Sequence, residues 1–289
     1  VAVTVSDSEA RDGASAIEMS GPRSWTRAFA DIAQGWQQRP LWGYLGWQDI
    51  KQRYRRSVLG PLWISISMGV IALGLGILYS ALLDIPLAEF LPHVAVGLLI
   101  WNFVSGCILE GSEVFIANEG LIKFLPAPLT LHIYRLVWRQ TLFFAHNLVV
   151  WAVLMVIYPR PLGWEILLSL PAFALLMING AWIAILAGIL ATRFRDIPPI
   201  IASMTQLLFY LTPIVWSVDL LSRNEAARER ASLVELNPIF HFVEILRQPL
   251  IGDPIVPRYW LVVGAITVVG WAAALICLRN YRSRVAYWV

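Results

Sequence analysis

The side chains best equipped for chemistry in this chain are cationic. Lys51, Arg53, Arg55 and Arg56 sit in DIKQRYRRSVLGPLW, residues 49–63, just ahead of a Gly60-Pro61 break. Guanidinium groups pair bidentately with phosphate oxygens. Cations at this density also anchor a first helix at a membrane surface or hold anionic lipid. Both readings stay open at this point. Glu110 and Glu113 lie in one apolar segment, and Arg135 and Arg139 begin the next at a similar depth. Ionisable groups inside a membrane are costly and usually paired, so two structural ion pairs are expected. His146 and Asn147 have no carboxylate at ligand spacing, which argues against a metal site. Cys107 and Cys277 stand far apart inside apolar runs and read as small buried or lipid-facing side chains.

Other chemistry is excluded. The lysines are Lys51 and Lys123, each preceded by isoleucine. A P-loop needs Gly-Lys followed by Ser or Thr, so the chain cannot be a P-loop ATPase by itself. It has no D-x-D pair and no G-x-S-x-G elbow. No histidine is followed five residues later by aspartate. No catalytic residue, bound cofactor or metal is expected. The net charge of +3 argues against nucleic-acid binding, which needs a basic face.

The elements that must position these groups are membrane helices. Of 289 residues, 58% are hydrophobic and 14% charged, against roughly a quarter charged in a soluble domain. Fourteen Trp and nine Tyr suit two membrane interfaces. Residues 1–22 are polar and small and read as a disordered tail. They lack the apolar core of a secretory signal, so the first span is expected to serve as an uncleaved one.

Residues 23–58 read as amphipathic helices. Trp25, Phe29, Ile32 and Trp36 share one helical face, with Arg23, Arg27, Asp31 and Arg39 largely elsewhere. Such a stripe suits the bilayer interface. Pro40 is expected to end this helix. A second amphipathic segment puts Trp47, Ile50 and Tyr54 opposite the cations.

Residues 59–289 read as an all-α integral membrane domain. Six spans of about 20 residues are expected, near 62–83, 92–116, 131–158, 166–192, 197–217 and 259–278. The basic residues place both termini in the cytosol. The stretch 118–130 becomes a short cytosolic projection exposing Lys123. Pro213 is expected to kink the fifth span late in its course. The 218–258 loop interleaves Arg223, Arg228, Arg230, Arg247 and Arg258 with acids and reads as a solvated outer segment. Within it, Asn237-Pro238 starts a helix over 238–250, lying at or dipping into the outer leaflet or capping its neighbours. Ala72, Gly76 and Ser80, and Gly180, Ala184 and Gly188, make small-residue faces for packing within the chain, or for a dimer seam.

Four stretches in order, QRYRRSVLGPLW (52–63), NEGLIKFLPAPL (118–129), TRFRDI (192–197) and NPIFHFVEILRQPL (237–250), resemble landmarks of ABC-2 type permeases. The subgroup is the polysaccharide exporters, Wzm-like partners of a Wzt-like ATPase. The wording of WQDIKQRYRRSVLGPLW (47–63), of IANEGLIK (116–123) and of the Tyr-Trp-Val end is similar to the actinobacterial exporter of lipid-linked galactan. The resemblance runs from about residue 25 to the C-terminus. It implies a bacterial plasma-membrane permease with an interface helix over 25–39. It also implies a coupling helix over 118–129, with Glu119, Gly120, Leu121, Ile122, Lys123 and Phe124 docking on the ATPase. The outer gate segment would be 218–258, with gate helices within 223–250. Two such chains would join two ATPase chains, which bind the ATP and Mg2+. Arg53, Arg55 and Arg56 would then receive the pyrophosphate of a lipid-linked glycan, or serve as topology anchors. Trp63, Tyr79, Phe209, Tyr210 and Trp216 become channel-lining candidates, because sugar rings stack on aromatic faces. Relatives often show a more basic pair where 118–129 has Lys123 alone, so docking would lean on shape. The alternative cargo is a teichoic-acid-like polymer or smaller amphiphile. A membrane-embedded lipid- or glycan-modifying enzyme is disfavoured by the missing catalytic motifs.

Overall fold

The computed structural model describes residues 23–55, 59–60, 62–125, 127–216 and 234–289. The expected N-terminal tail, Arg56, and Arg223, Arg228 and Arg230 of the 218–258 loop lie outside the described residues. Among the described residues the chain is helical, with no strand.

The pair α1 (Trp25–Gln37) and α2 (Arg39–Arg53) comes first. Ser24 caps α1, its Oγ accepting from Arg27 N at 3.2 Å. Trp25, Phe29 and Trp36 stay exposed, while Ala28, Asp31 and Gly35 are buried. Small residues let that face approach its neighbours closely. Pro40 opens α2, where a missing N–H costs nothing, and α1 has already ended at Gln37.

The membrane-length helices are α3 (Leu62–Leu83), α4 (Leu87–Glu113), α6 (Leu129–Ile157), α7 (Ser169–Arg193, led in by a 3-10 turn over Trp164–Leu168) and α10 (Pro257–Trp288). These five are long and apolar enough to cross a bilayer. Two short helices interrupt the series, α5 (Glu119–Phe124) and α8 (Ile197–Leu211). The helix α9 (Pro238–Ile251) follows, with Gly252 at φ 78° ending it in the left-handed conformation that glycine tolerates.

Helix α4 is the centre. It packs against α3, α6, α7, α8 and α9. A helix apolar on all sides is stable only when surrounded by lipid or protein, and α4 is surrounded by protein. The small face of α7 meets it directly. A Cβ on Gly111 would lie 2.9 Å from Ala184 Cα, so the helix backbones nearly touch there. Gly180 and Gly188 face Cys107 and Phe115 in the same way. Both small-residue faces therefore serve packing within the chain, since Gly76 likewise lies against Leu91.

Two expectations need correction. The fifth span is not helical throughout. Helix α8 has 15 residues and stops at Leu211, because Thr212 is extended ahead of Pro213. The residue before a proline is driven out of the helical region, so the proline ends the helix instead of kinking it. Helix α9, inside the 218–258 loop, is not solvated. Twelve of the 14 residues of α9 are buried, against α4, α7 and α10.

Candidate functional site

A cleft opens between the end of α2 and helices α3, α4 and α6. It consists of two adjoining cavities of about 410 and 390 Å3, which share Arg53, Glu110 and Phe143 in their walls.

The first cavity is charged. Asp49 on α2 accepts from Arg135 Nε at 2.9 Å and from Arg139 Nη1 at 2.8 Å. Arg139 also reaches Glu110 at 2.5 Å. The expected ion pairing between α4 and α6 is thus present for Glu110 and Arg139. Arg135 takes Asp49 as its partner instead. Glu113 is exposed, lines the cavity, and has no ion pair among the described residues. Burial pushes the Asp49 carboxyl up, but the hydrogen bonds and charges of Arg135 and Arg139 outweigh it and hold it below its ordinary range. Arg53 spans both cavities, its guanidinium carbon 5.4 Å from the centre of the Phe143 ring. Arg55 is exposed beside it.

The second cavity reaches into the membrane-length helices. Trp63, Ser67, Asn102, Phe143, Gln140 and Asn147 are among its walls. Of the aromatic channel candidates, Trp63 lines this cavity. Tyr79 packs half-buried against the core around α4, the Phe209 ring lies tilted 5.5 Å from that of Trp101, and Tyr210 is exposed. Trp216 donates from Nε1 to Tyr210 O at 3.3 Å. These four are not in the cleft. His146 is tied to its own helix, Nδ1 lying 2.7 Å from Leu142 O.

Ala117 and Asn118 line the charged cavity, and α5 starts at the next residue. The tip of α5 is apolar and open, with Phe124 at 85% exposure and Leu121 and Leu125 also exposed. Glu119 and Lys123 pair at 2.6 Å along it.

Asp31 ties this end together. It is fully buried, and its carboxylate accepts from Leu129 N at 3.2 Å and Thr130 N at 3.0 Å. Those amides open α6, where the first helical N–H groups have no partner within the helix. Pro128, which precedes them, offers no capping side chain. Asp31 caps α6 from another helix and also pairs with Arg282 of α10. Gly35 makes room, since a Cβ there would come 2.3 Å from Thr130 Oγ1.

The family profile described as ABC-2 type transporter matches residues 40–251, from the start of α2 to the end of α9. The chain belongs to the ABC-2 type transporter family. The matched region contains the whole cleft and α5, and it excludes Asp31 and Arg282. Similar proteins include two described as O-antigen export system permease protein RfbA. One, from Klebsiella pneumoniae, is 27% identical over 177 residues, 60% of this chain and 68% of its own length. The other, from Myxococcus xanthus, is 26% identical over 210 residues, 72% of this chain and 79% of its own.

This ABC-2 protein holds a third polar site that the sequence reading assigned to solvent. Arg247 on α9 is 2% exposed and donates from Nη1 to Pro213 O at 2.7 Å. It also pairs with Glu244, and its Nη1 lies 3.0 Å from His93 Nε2. Asn237 Nδ2 donates to Thr212 Oγ1 at 2.8 Å. Buried Thr212, Pro213, Ile214 and Val215 therefore continue α8 as extended chain with side-chain partners. Non-helical backbone at membrane depth is tolerated where protein covers it. Asp31, Asp49 and Arg247 were absent from the sequence-derived site. A cue existed for Asp31, because Ala28 and Gly35 share its helical face and mark a packed side.

Proposed function

We propose that this chain is the transmembrane subunit of an exporter for a polysaccharide carried on polyprenyl pyrophosphate, with galactan as the cargo favoured by the wording of residues 47–63 and 116–123. Two copies form the path across the bacterial plasma membrane, both termini in the cytosol. A separate ATPase subunit, with ATP and Mg2+, supplies the energy. What supports this reading most is a juxtaposition. The open apolar tip of α5 and the mouth of the cleft lie at one end of the molecule, joined through Ala117 and Asn118. A partner docked on α5 thus acts directly on the entrance. The permeases of Klebsiella pneumoniae and Myxococcus xanthus named above are O-antigen exporters by description, which favours a polysaccharide cargo here too.

Arg53 stands at the threshold between the cavities, where a pyrophosphate would leave the aqueous side. Its guanidinium offers paired donors to phosphate oxygens. Arg55 adds charge beside it. The deciding experiment is affinity purification of the chain from its native host. A nucleotide-binding subunit should come with it, and Leu121→Asp with Phe124→Asp should lose that subunit while membrane insertion is unchanged. Depletion of the chain should make lipid-linked glycan accumulate in the cytosol. Recovery without any ATPase, or unchanged glycan export on depletion, rejects the proposal. Arg53→Gln tests the headgroup role separately, since lost insertion alongside lost export would reduce that residue to an anchor.

A further inference from the structure

Four polar atoms of α6 are buried with no hydrogen-bond partner among the described residues: His132 Nδ1, Arg139 Nε, Gln140 Nε2 and Asn147 Oδ1. All four residues line the cleft. Buried polar groups are nearly always satisfied, so such a row along one helix calls for a ligand or ordered water.

Gln140 and Asn147 carry the argument. They are 4% exposed each and line the same cavity. They stand seven residues apart, two turns along one face, or about 10 Å. Gly106 on α4 makes room for the first, since a Cβ there would lie 2.5 Å from Gln140 Oε1. Each of these amides offers both an N–H2 donor and a carbonyl acceptor, and neither end has a partner among the described residues. A phosphate at neutral pH is chiefly an acceptor and suits only the N–H2 ends. A hydroxyl group both donates and accepts, so a ligand with several hydroxyls suits both. The rest of the wall agrees. Ser67 and Asn102 add uncharged polar groups, and Trp63 and Phe143 add aromatic faces. The formal charges are Arg53 and Glu110, both at the wall shared with the charged cavity, and Glu110 is already paired with Arg139. The volume of about 390 Å3 falls within the range of small-molecule sites.

We propose that this inner cavity, between α3, α4 and α6, is a binding site for a neutral sugar unit of the exported glycan, held by the Gln140 and Asn147 amides. The proposal rests on the export reading for the identity of the cargo, while the site itself rests on the geometry. It separates two tasks along the cleft, the phosphate at Arg53 and the first sugars deeper in.

The test uses the full chain in lipid nanodiscs and a decyl β-galactoside carrying a diazirine on its alkyl chain. Matching decyl phosphate and decyl glycerol diazirines serve as controls. Photolabel from the galactoside should map to residues 63–71 and 140–147, and soluble galactobiose should compete it away. Gln140→Met and Asn147→Leu should each lower that labelling by about threefold to tenfold, the equivalent of one hydrogen bond. Their thermal unfolding midpoints should be unchanged or raised, because each change removes a buried group that has no protein partner. Equal labelling by the glycerol or phosphate probe overturns the sugar assignment in favour of a lipid headgroup slot. No labelling in this cavity overturns it in favour of water. A lowered midpoint in step with lost labelling makes the amides structural and also overturns it. Glycan export that survives depletion of the chain rejects the export reading, whereas lost labelling with export intact rejects the sugar site alone.

Discussion

Asp49 receives two guanidinium groups and fixes the end of α2 to α6 beside the cleft. Replacing it by asparagine keeps the shape and removes the charge. Hydrogen bonds to charged groups contribute about 1–3 kcal/mol, so Asp49→Asn should lower thermal stability by that order. The pH dependence has a definite sign. The folded-state pKa is lowered, so the stabilisation is fully present above the unfolded carboxylate value and is lost as pH falls through the lowered one. Moving the wild-type protein from about pH 7 to about pH 5 should therefore not reproduce the variant, because the carboxylate stays ionised. Detergent-solubilised protein melted across that range checks this. A wild-type midpoint that drops to the Asp49→Asn value by pH 5 would refute the assignment. The pair of Glu110 and Arg139 was legible in the sequence because both ends lie in membrane-length apolar segments, where charge without a partner is costly. Asp49 was hidden among four neighbouring cations, and its partners come some 90 residues later.

At the scale of elements, α8 poses the sharpest problem. Its 15 residues reach about 22 Å, short of the roughly 30 Å hydrocarbon core. The sequence announced Pro213 but not the consequence, since a proline inside an apolar run permits a kink or an end. The outcome depends on what satisfies the freed backbone, and here Arg247 does so from 34 residues away. That distance is why Arg247, read among alternating charges, looked solvated. The helical rhythm of 238–250 and its Asn-Pro start were legible, and Asn237 does cap α9 through Ile239 N at 3.0 Å. Arg247→Met should destabilise the protein by about 3–5 kcal/mol, because it leaves the part-buried Glu244 charge without its partner and Pro213 O without this donor. The double variant Arg247→Met with Glu244→Gln should recover part of the loss, since no part-buried charge is left without its partner. Thermal melts of both variants decide it. A single variant as stable as wild type would mean that the extended segment does not depend on α9.

For the molecule as a whole, the proposed docking at α5 raises the question of how a push there would reach helices on the far side of the cleft. The chain leaves α5 and enters α6 within a few residues, and Asp31 grips the first turn of α6. The same carboxylate holds Arg282 near the end of α10. Force applied at α5 must then shift α1, α6 and α10 together, as one body at the mouth of the cleft. Without Asp31, α6 would keep its place in the bundle, since its core contacts lie elsewhere, but α1 and α10 would no longer follow it. Asp31→Asn retains an oxygen acceptor for one α6 amide and gives up the charge that holds Arg282. If the proposed ATPase docks on α5, the variant should leave docking and hydrolysis near wild type, because the tip of α5 is untouched. Export should fall about tenfold, within the range of coupling energies between sites. Arg282→Gln should reproduce part of the defect, because it frees α10 but leaves α6 capped. Measuring ATP turnover and glycan export in the same proteoliposomes separates this from simple instability. Parallel losses of hydrolysis and export would show that Asp31 only maintains the fold, whereas continued hydrolysis with little export would mark it as the joint through which the drive is transmitted.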